Sequence, residues 1–397
     1  MDNLEMESLH LHRRLKGKIE IAPRKPLQGI QDLALLYTPG VAAPCREISR
    51  DRGLVYEYTA KGNTVAIITN GTAVLGLGDI GPEAALPVME GKALLFKTLA
   101  GIDAFPICLD CRDPAEVIRV VQAMAPSFGG INLEDIAAPD CFEIERCLRE
   151  TLNIPVFHDD QHGTAVVVAA GLVNALRLTG RRIEETKVVI NGAGAAGVAT
   201  AHLFLKLGVQ HLRVCDRLGV LYPGRPGGMN PYKEEIAALT NPTGGGGTLA
   251  DTLRGADVFV GLSRGGLLTR DMVRFMAPKP IVFALANPEP EISRDQARAA
   301  GAAVIATGRS DCPNQINNVL AFPGVFRGAL DARATDINGA MKIAAVRALS
   351  ELVGDDLHPD YIIPEPVDPR VAPSVALAVA AAAVESGVSR ADQERSE

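Results

Sequence analysis

The chain has no excess of positive charge: 40 lysines and arginines stand against 47 aspartates and glutamates, a net of -7 at pH 7. A basic face for nucleic acid or for anionic lipid is therefore not its organising feature, and a small molecule is the expected partner. Read from sequence, no stretch is long enough to cross a bilayer. The opening, Met1-Asp2-Asn3-Leu4-Glu5, is acidic and lacks the apolar run of a secretory signal. A disulfide framework is missing as well, because the cysteines at 45, 108, 111, 141, 147, 215 and 312 are odd in number and irregular in spacing. That pattern fits reduced thiols in the cytoplasm. Cys108-x-x-Cys111 is a close pair, but no second pair or nearby histidine completes a zinc or redox site. Repeats and low-complexity tracts are also absent. What remains is 397 residues with 47% hydrophobic and 22% charged content, globular in composition and long enough to predict two domains.

Apolar β-branched runs alternate with helical patterns. Val65-Ala66-Ile67-Ile68 and Phe105 to Leu109 precede a helix from about Pro114 to Met124, and Ile131-Asn132-Leu133 and Ile154 to Phe157 follow. The second half repeats the alternation with Val188 to Ile190, Leu212 to Cys215, Val258 to Val260 and Ile281 to Leu285. Such alternation predicts parallel sheets in an α/β fold: an N-terminal α/β domain for substrate and metal, then a Rossmann-like doubly wound domain. The boundary is placed between residues 161 and 162, where His158 to Thr164 leads into an apolar helix from Ala165 to Leu178, with the C-terminal helices assigned to the second domain.

Gly192-Ala193-Gly194-Ala195-Ala196-Gly197 follows the strand ending at Ile190 and opens a helical run to Leu205, and Asp216 ends the next strand 19 residues after Gly197. Gly192 permits the tight turn, Gly194 the approach of a pyrophosphate, and Gly197 close helix packing, with the phosphates at the helix N-terminus. Strand, helix and distal acid together predict a dinucleotide site. An aspartate at 216 would accept ribose hydroxyls and favour NAD over NADP, an inference that Arg217 beside it blunts.

Two acidic pairs, Glu134-Asp135 and Asp159-Asp160, each follow a strand. Glu134, Asp135 and Asp160 offer hard oxygen ligands suited to Mg2+ or Mn2+; strand-end carboxylates and helix caps have the same appearance. Alternation along a strand would point Asp159 and Asp160 apart. Helical spacing puts Met89, Lys92, Ala93, Phe96 and Leu99 on one face and Lys97 off it. Partial desolvation there would lower the pKa of Lys92 and suit it to general-base work, although a lysine extending its amine out of such a face is the commoner case. Tyr37 precedes a turn and a helix start, so its hydroxyl is a candidate for a cleft; buried tyrosines with satisfied hydroxyls are frequent too.

Tyr37-Thr-Pro-Gly-Val-Ala42, Gly76-Leu-Gly-Asp-Ile-Gly81, Gly91-Lys92, Leu133-Glu-Asp-Ile136, Asp159-Asp-Gln-His-Gly-Thr164, Ala286-Asn287-Pro288 and Pro313-Asn-Gln-Ile-Asn-Asn318 occur in one order with the glycine motif. In these segments, over nearly its whole length, the chain resembles the malic enzymes of compact bacterial type. The resemblance implies oxidative decarboxylation of (S)-malate to pyruvate and carbon dioxide with NAD or NADP and Mg2+ or Mn2+. By position it implies Glu134, Asp135 and Asp160 as metal ligands with Asp159 beside them, Lys92 as base and Tyr37 as acid. It also implies Asn287 and Asn318 as contacts of the substrate or the nicotinamide, and a homodimer or larger homo-oligomer. One departure is Ala73, where longer relatives carry an arginine, which leaves the group that binds the malate carboxylate open. Two other activities fit parts of the pattern: a malolactic enzyme, with lactate as product and no net redox change, and a metal-independent amino-acid dehydrogenase.

Overall fold

The computed structural model describes residues 3–74 and 76–390; Met1, Asp2 and residues 391–397, at the ends of the two expected domains, lie outside the described residues. Four parallel strands form the first sheet: β1 (Thr64–Thr69), β2 (Asp103–Cys108), β3 (Gly130–Leu133) and β4 (Val156–His158), in the order β2-β1-β3-β4. All six residues of β1 are buried, as expected of a strand covered on both faces, which explains its continuous apolar run. The chain goes from β1 to one side and later returns to the other, so a topological switch point lies between β1 and β3. Register sets Ile68 beside Leu133 and Leu133 beside His158, which gathers the residues after these strands at one sheet edge.

The second sheet contains β5 (Lys187–Asn191), β6 (His211–Asp216), β7 (Gly219–Val220), β8 (Val258–Gly261), β9 (Ile281–Ala284) and β10 (Val304–Thr307), ordered β10-β9-β8-β5-β6-β7. All pairs are parallel except the hairpin of β6 with β7. Sequence patterning misses β7 and β10, which have two and four residues and stand out little in hydrophobic pattern. The switch point here lies between β5 and β8, where the glycine turn begins.

The helix Asp159–Thr179 joins the two sheets and starts six residues earlier than expected; it ends at Gly180 in the left-handed conformation, φ 69°. Contrary to the sequence reading, it is long and apolar enough to cross a bilayer, but 67% of its apolar window is buried inside the protein, as in a core helix. It packs against helices Ala195–Leu207 and Gly339–Glu351. Two of the C-terminal helices, Phe322–Asp331 and Val371–Glu385, reach helix Pro82–Ala100 of the first half. Phe322–Asp331 packs on Val371–Glu385 and brings Phe322 and Phe326 edge-on to Phe96 of helix Pro82–Ala100, centroids 4.7 and 5.3 Å apart. One hydrophobic cluster thus runs through both halves. The cysteines are free thiols, Cys108 and Cys111 included.

The first three helices, Asn3–Leu15, Ile30–Leu36 and Ala42–Arg50, bury no residue. Ile30, Leu35 and Leu27 are 82%, 70% and 62% exposed, so this N-terminal arm, tied to the body through Lys18 and Arg24, leaves apolar side chains uncovered.

Candidate active site

Glu134 and Asp135 directly follow β3, and Asp159 and Asp160 follow β4. The second pair occupies the first turn of a helix, not a strand, so alternation does not separate the two side chains. Ligand oxygens of Glu134, Asp135 and Asp160 lie within 4.8 Å of one another. Asp135 adopts φ 51°, and its backbone N–H donates to Asp160 Oδ2 at 2.8 Å, which ties the two acidic segments together. Asn132 Nδ2 donates to Glu134 Oε2 at 3.0 Å. Sequence reasoning missed Asn132, although residues two apart on a strand share a face.

Lys92 comes in from helix Pro82–Ala100, whose buried face holds Ala85, Met89, Lys92, Ala93 and Phe96. Its Nζ pairs with Asp159 Oδ2 at 2.5 Å and with Glu134 Oε1, and lies 4.5 Å from the centre of the Phe322 ring. Lys97 faces outward, 62% exposed, and pairs with Asp103. Burial pushes the Lys92 pKa down, as expected from sequence, but Asp159, Glu134 and Asp160 outweigh it and the net direction is upward. This corrects the expectation of a lowered value. Burial raises Glu134 and Asp160 despite Lys92, and carries Asp159 to about 8.

Four carboxylates around one ammonium leave negative charge uncompensated if all are ionised, in a place where water cannot screen it. Buried Asp159 Oδ1 has no hydrogen-bond partner. A second cation relieves the charge imbalance, and a set made only of oxygen donors suits a hard divalent ion such as Mg2+ or Mn2+. Gly163, one helical turn on, is needed for this packing: a Cβ there would lie 1.8 Å from Asp159 Oδ1 and 3.3 Å from the Asn318 Cβ. Asn318 is thereby brought beside the cluster. Ala73 enters through its backbone, donating to Asp135 O at 3.0 Å.

Asn287 follows β9 and is exposed; a Cβ on Gly308 would meet its Nδ2 at 2.9 Å, and one on Gly76 its carbonyl at 2.9 Å. Tyr37 closes helix Ile30–Leu36 and is 67% exposed, with no hydrogen bond from its side chain to the cluster.

A cavity of about 770 Å3 beside the second switch point is lined by Gly192, Ala193, Gly194, Asp216, Arg217, Lys233 and Ser263 among others. Gly192 (φ 131°) turns so close to the exit of β8 that a Cβ would sit 2.3 Å from Leu262 O, and one on Gly197 would sit 1.7 Å from Gly192 O. Gly194 caps helix Ala195–Leu207, whose first turn is Ala195-Ala196-Gly197, so amides at a helix N-terminus face the cavity. Asp216 lines it as well. Its carboxylate is not open to ribose hydroxyls as expected, because Arg225 and Lys233 already hold it.

Two family models match the chain: the malic enzyme N-terminal domain over residues 16–149 and the malic enzyme NAD-binding domain over residues 161–384. A Bacillus subtilis protein called a bifunctional malic/malolactic enzyme is 58% identical over 98% of this chain and 95% of its own length. The NADP-dependent malic enzyme of Escherichia coli is 52% identical over 98% of this chain, which spans 53% of that longer protein. The crystal structure of an NAD-dependent malic enzyme from Thermotoga maritima superposes with a TM-score of 0.91 at 51% identity, covering 96% of this chain and 99% of that one.

Proposed function

The chain belongs to the malic enzyme family, and from that premise we propose that it converts (S)-malate to pyruvate and carbon dioxide in the cytoplasm, passing a hydride to NAD or NADP with a divalent cation bound. The observation that carries this reading is Lys92, held between Asp159 and Glu134 at the edge of the Glu134, Asp135, Asp160 cluster. In this reading residues 1–161 carry the acid-base and cation groups and residues 162–397 the nucleotide.

Glu134, Asp135 and Asp160 are the residues that would hold Mg2+ or Mn2+, which when bound supplies Lewis acidity toward the C2 oxygen and the neighbouring carboxylate. Lys92 takes the C2 hydroxyl proton as hydride leaves C2 for the nicotinamide. Asp159, in contact with the Lys92 amine, holds it at the edge of the cluster. Asn318 orients the substrate at the cluster, and Asn287 the substrate or nicotinamide. Loss of the C4 carboxylate as carbon dioxide leaves an enolate, to which Tyr37 returns a proton at C3. Its exposed position, with the unburied arm that bears it, supports a working assembly of two copies in which the arm is covered.

The test is the absorbance of reduced nicotinamide with malate, either dinucleotide, and Mn2+ or EDTA. Malate-dependent reduction that EDTA abolishes and Mn2+ restores supports the reading; no reduction with either dinucleotide in the presence of Mn2+ defeats it. The name of the Bacillus subtilis relative favours a second reaction at the same site. Lactate formed from malate without accumulation of reduced nicotinamide would identify it.

A further inference from the structure

An aspartate at the end of the second Rossmann strand ordinarily offers its oxygens to ribose hydroxyls. In this chain both oxygens are engaged. Asp216 Oδ1 accepts from Arg225 Nη1 and from Leu218 N, each at 2.9 Å, and Oδ2 accepts from Arg225 Nη2 at 2.6 Å and from Lys233 Nζ at 2.8 Å. A carboxylate has about four lone-pair sites, so none remains for a ribose hydroxyl. The arrangement is also well tied down. The side chains of Asp216 and Arg225 are 9% and 5% exposed, and Lys233 Nζ donates a further bond to Gly228 O at 2.9 Å.

Charge points the same way. Arg225 cancels the aspartate, which leaves the ammonium of Lys233 in surplus. Arg217 and Arg264 line the same cavity, both exposed, and neither makes a hydrogen bond or ion pair among the described residues. Three cationic side chains thus line the cavity against one aspartate, the opposite balance to a solitary aspartate, and this suits a phosphate ester.

We propose that this end of the nucleotide cavity is a 2′-phosphate site, with Lys233 and Arg217 as its cationic contacts, so that the chain prefers NADP to NAD. Arg225 is a positioning residue that acts through Asp216 and holds Lys233 in place. The inference rests on the dehydrogenase reading above and narrows its cofactor.

The chain has no tryptophan, so the emission of reduced nicotinamide can be titrated against a low protein background. NADPH is expected to bind the full chain about 10- to 100-fold more tightly than NADH, the usual weight of one or two hydrogen bonds between charged groups. In Lys233→Ala and in Arg217→Ala the ratio of the two dissociation constants should fall toward 1, with melting temperatures checking that each variant folds. On the unaltered chain, 2′,5′-ADP should displace NADPH at lower concentration than 5′-ADP, a comparison that needs no variant. A wild-type ratio at or below 1, a ratio that survives both substitutions, or equal displacement by the two competitors overturns the proposal. NADH binding without a preference for NADPH defeats this inference alone, whereas failure of both dinucleotides to bind defeats the dehydrogenase reading and this inference with it.

Discussion

At Gly163 a single missing methyl keeps Asp159 against Lys92, since a Cβ would lie 1.8 Å from Asp159 Oδ1. Gly163→Ala should therefore push the carboxylate off the lysine and lower kcat about 100-fold or more, the scale on which acid-base groups act, with dinucleotide affinity little changed. Steady-state rates and nicotinamide fluorescence check both parts; near-normal turnover would contradict the geometry. Lys92→Ala should likewise cost about 10²- to 10⁴-fold in kcat without weakening the dinucleotide. Asp216 supports a prediction about pH. Burial alone would raise its carboxyl, but Arg225 and Lys233 bring it down to about 2. A depressed carboxyl stabilises the fold above its unfolded pKa, near 3.9, and that contribution is lost as pH falls through about 2. Asp216→Asn should thus destabilise the fold at pH 7, and the penalty should shrink between about pH 4 and pH 2. Urea denaturation of both proteins across that range would show a constant penalty if the assignment were wrong. The identities of Glu134, Asp135, Asp160 and Lys92 were legible in sequence because their neighbours mark strand ends and an apolar helix face. The direction of the Lys92 shift was not, because Asp159, 67 residues away, helps to set it.

Elements in this molecule owe their placement to small residues as much as to large ones. Gly324 and Gly328, one turn apart on helix Phe322–Asp331, face helix Val371–Glu385 so closely that a Cβ on Gly328 would sit 2.4 Å from Ala376 O and one on Gly324 2.6 Å from the Val375 Cβ. Gly328→Val must spread the pair, and overpacking of this kind usually costs about 1–3 kcal/mol. Phe322 and Phe326 of the same helix pack on Phe96, four residues from Lys92, so turnover should fall together with melting temperature. A variant that melts like wild type would show that the helices are less tightly seated. Helix Pro114–Met124 matches its sequence expectation residue for residue because Asp113 caps it and Pro114 opens it, both local signals. Helix Asp159–Thr179 starts earlier than expected because its first turn is polar, which hides it from a hydrophobic pattern.

Over the whole molecule, the unbalanced feature is the apolar arm, whose three helices bury nothing within one chain. If a second copy covers it, removing residues 3–36 should convert dimers to monomers and abolish turnover, while the body keeps its dinucleotide affinity. Sedimentation at several concentrations measures the first effect, and a dimer that persists without the arm would exclude the arm as the contact. Sequence composition alone does not reveal this, because apolar residues at helical spacing look the same whether they face their own core or another chain.

Local chemistry determined much of this protein. Alternating apolar runs specified two parallel sheets, the glycines from 192 to 197 specified the turn into helix Ala195–Leu207, and acidic pairs at strand ends marked the carboxylates that cluster, because each signal lies within a few consecutive residues. Tertiary structure decided which charges meet. The proton affinity of Lys92, the closing of Asp216 by Arg225 and Lys233, and the seating of helices Phe322–Asp331 and Val371–Glu385 against helix Pro82–Ala100 all depend on groups remote in sequence or held by a folded loop. Electrostatic balance and packing sum over whatever lies nearby in space, and the order of residues along the chain does not state that neighbourhood.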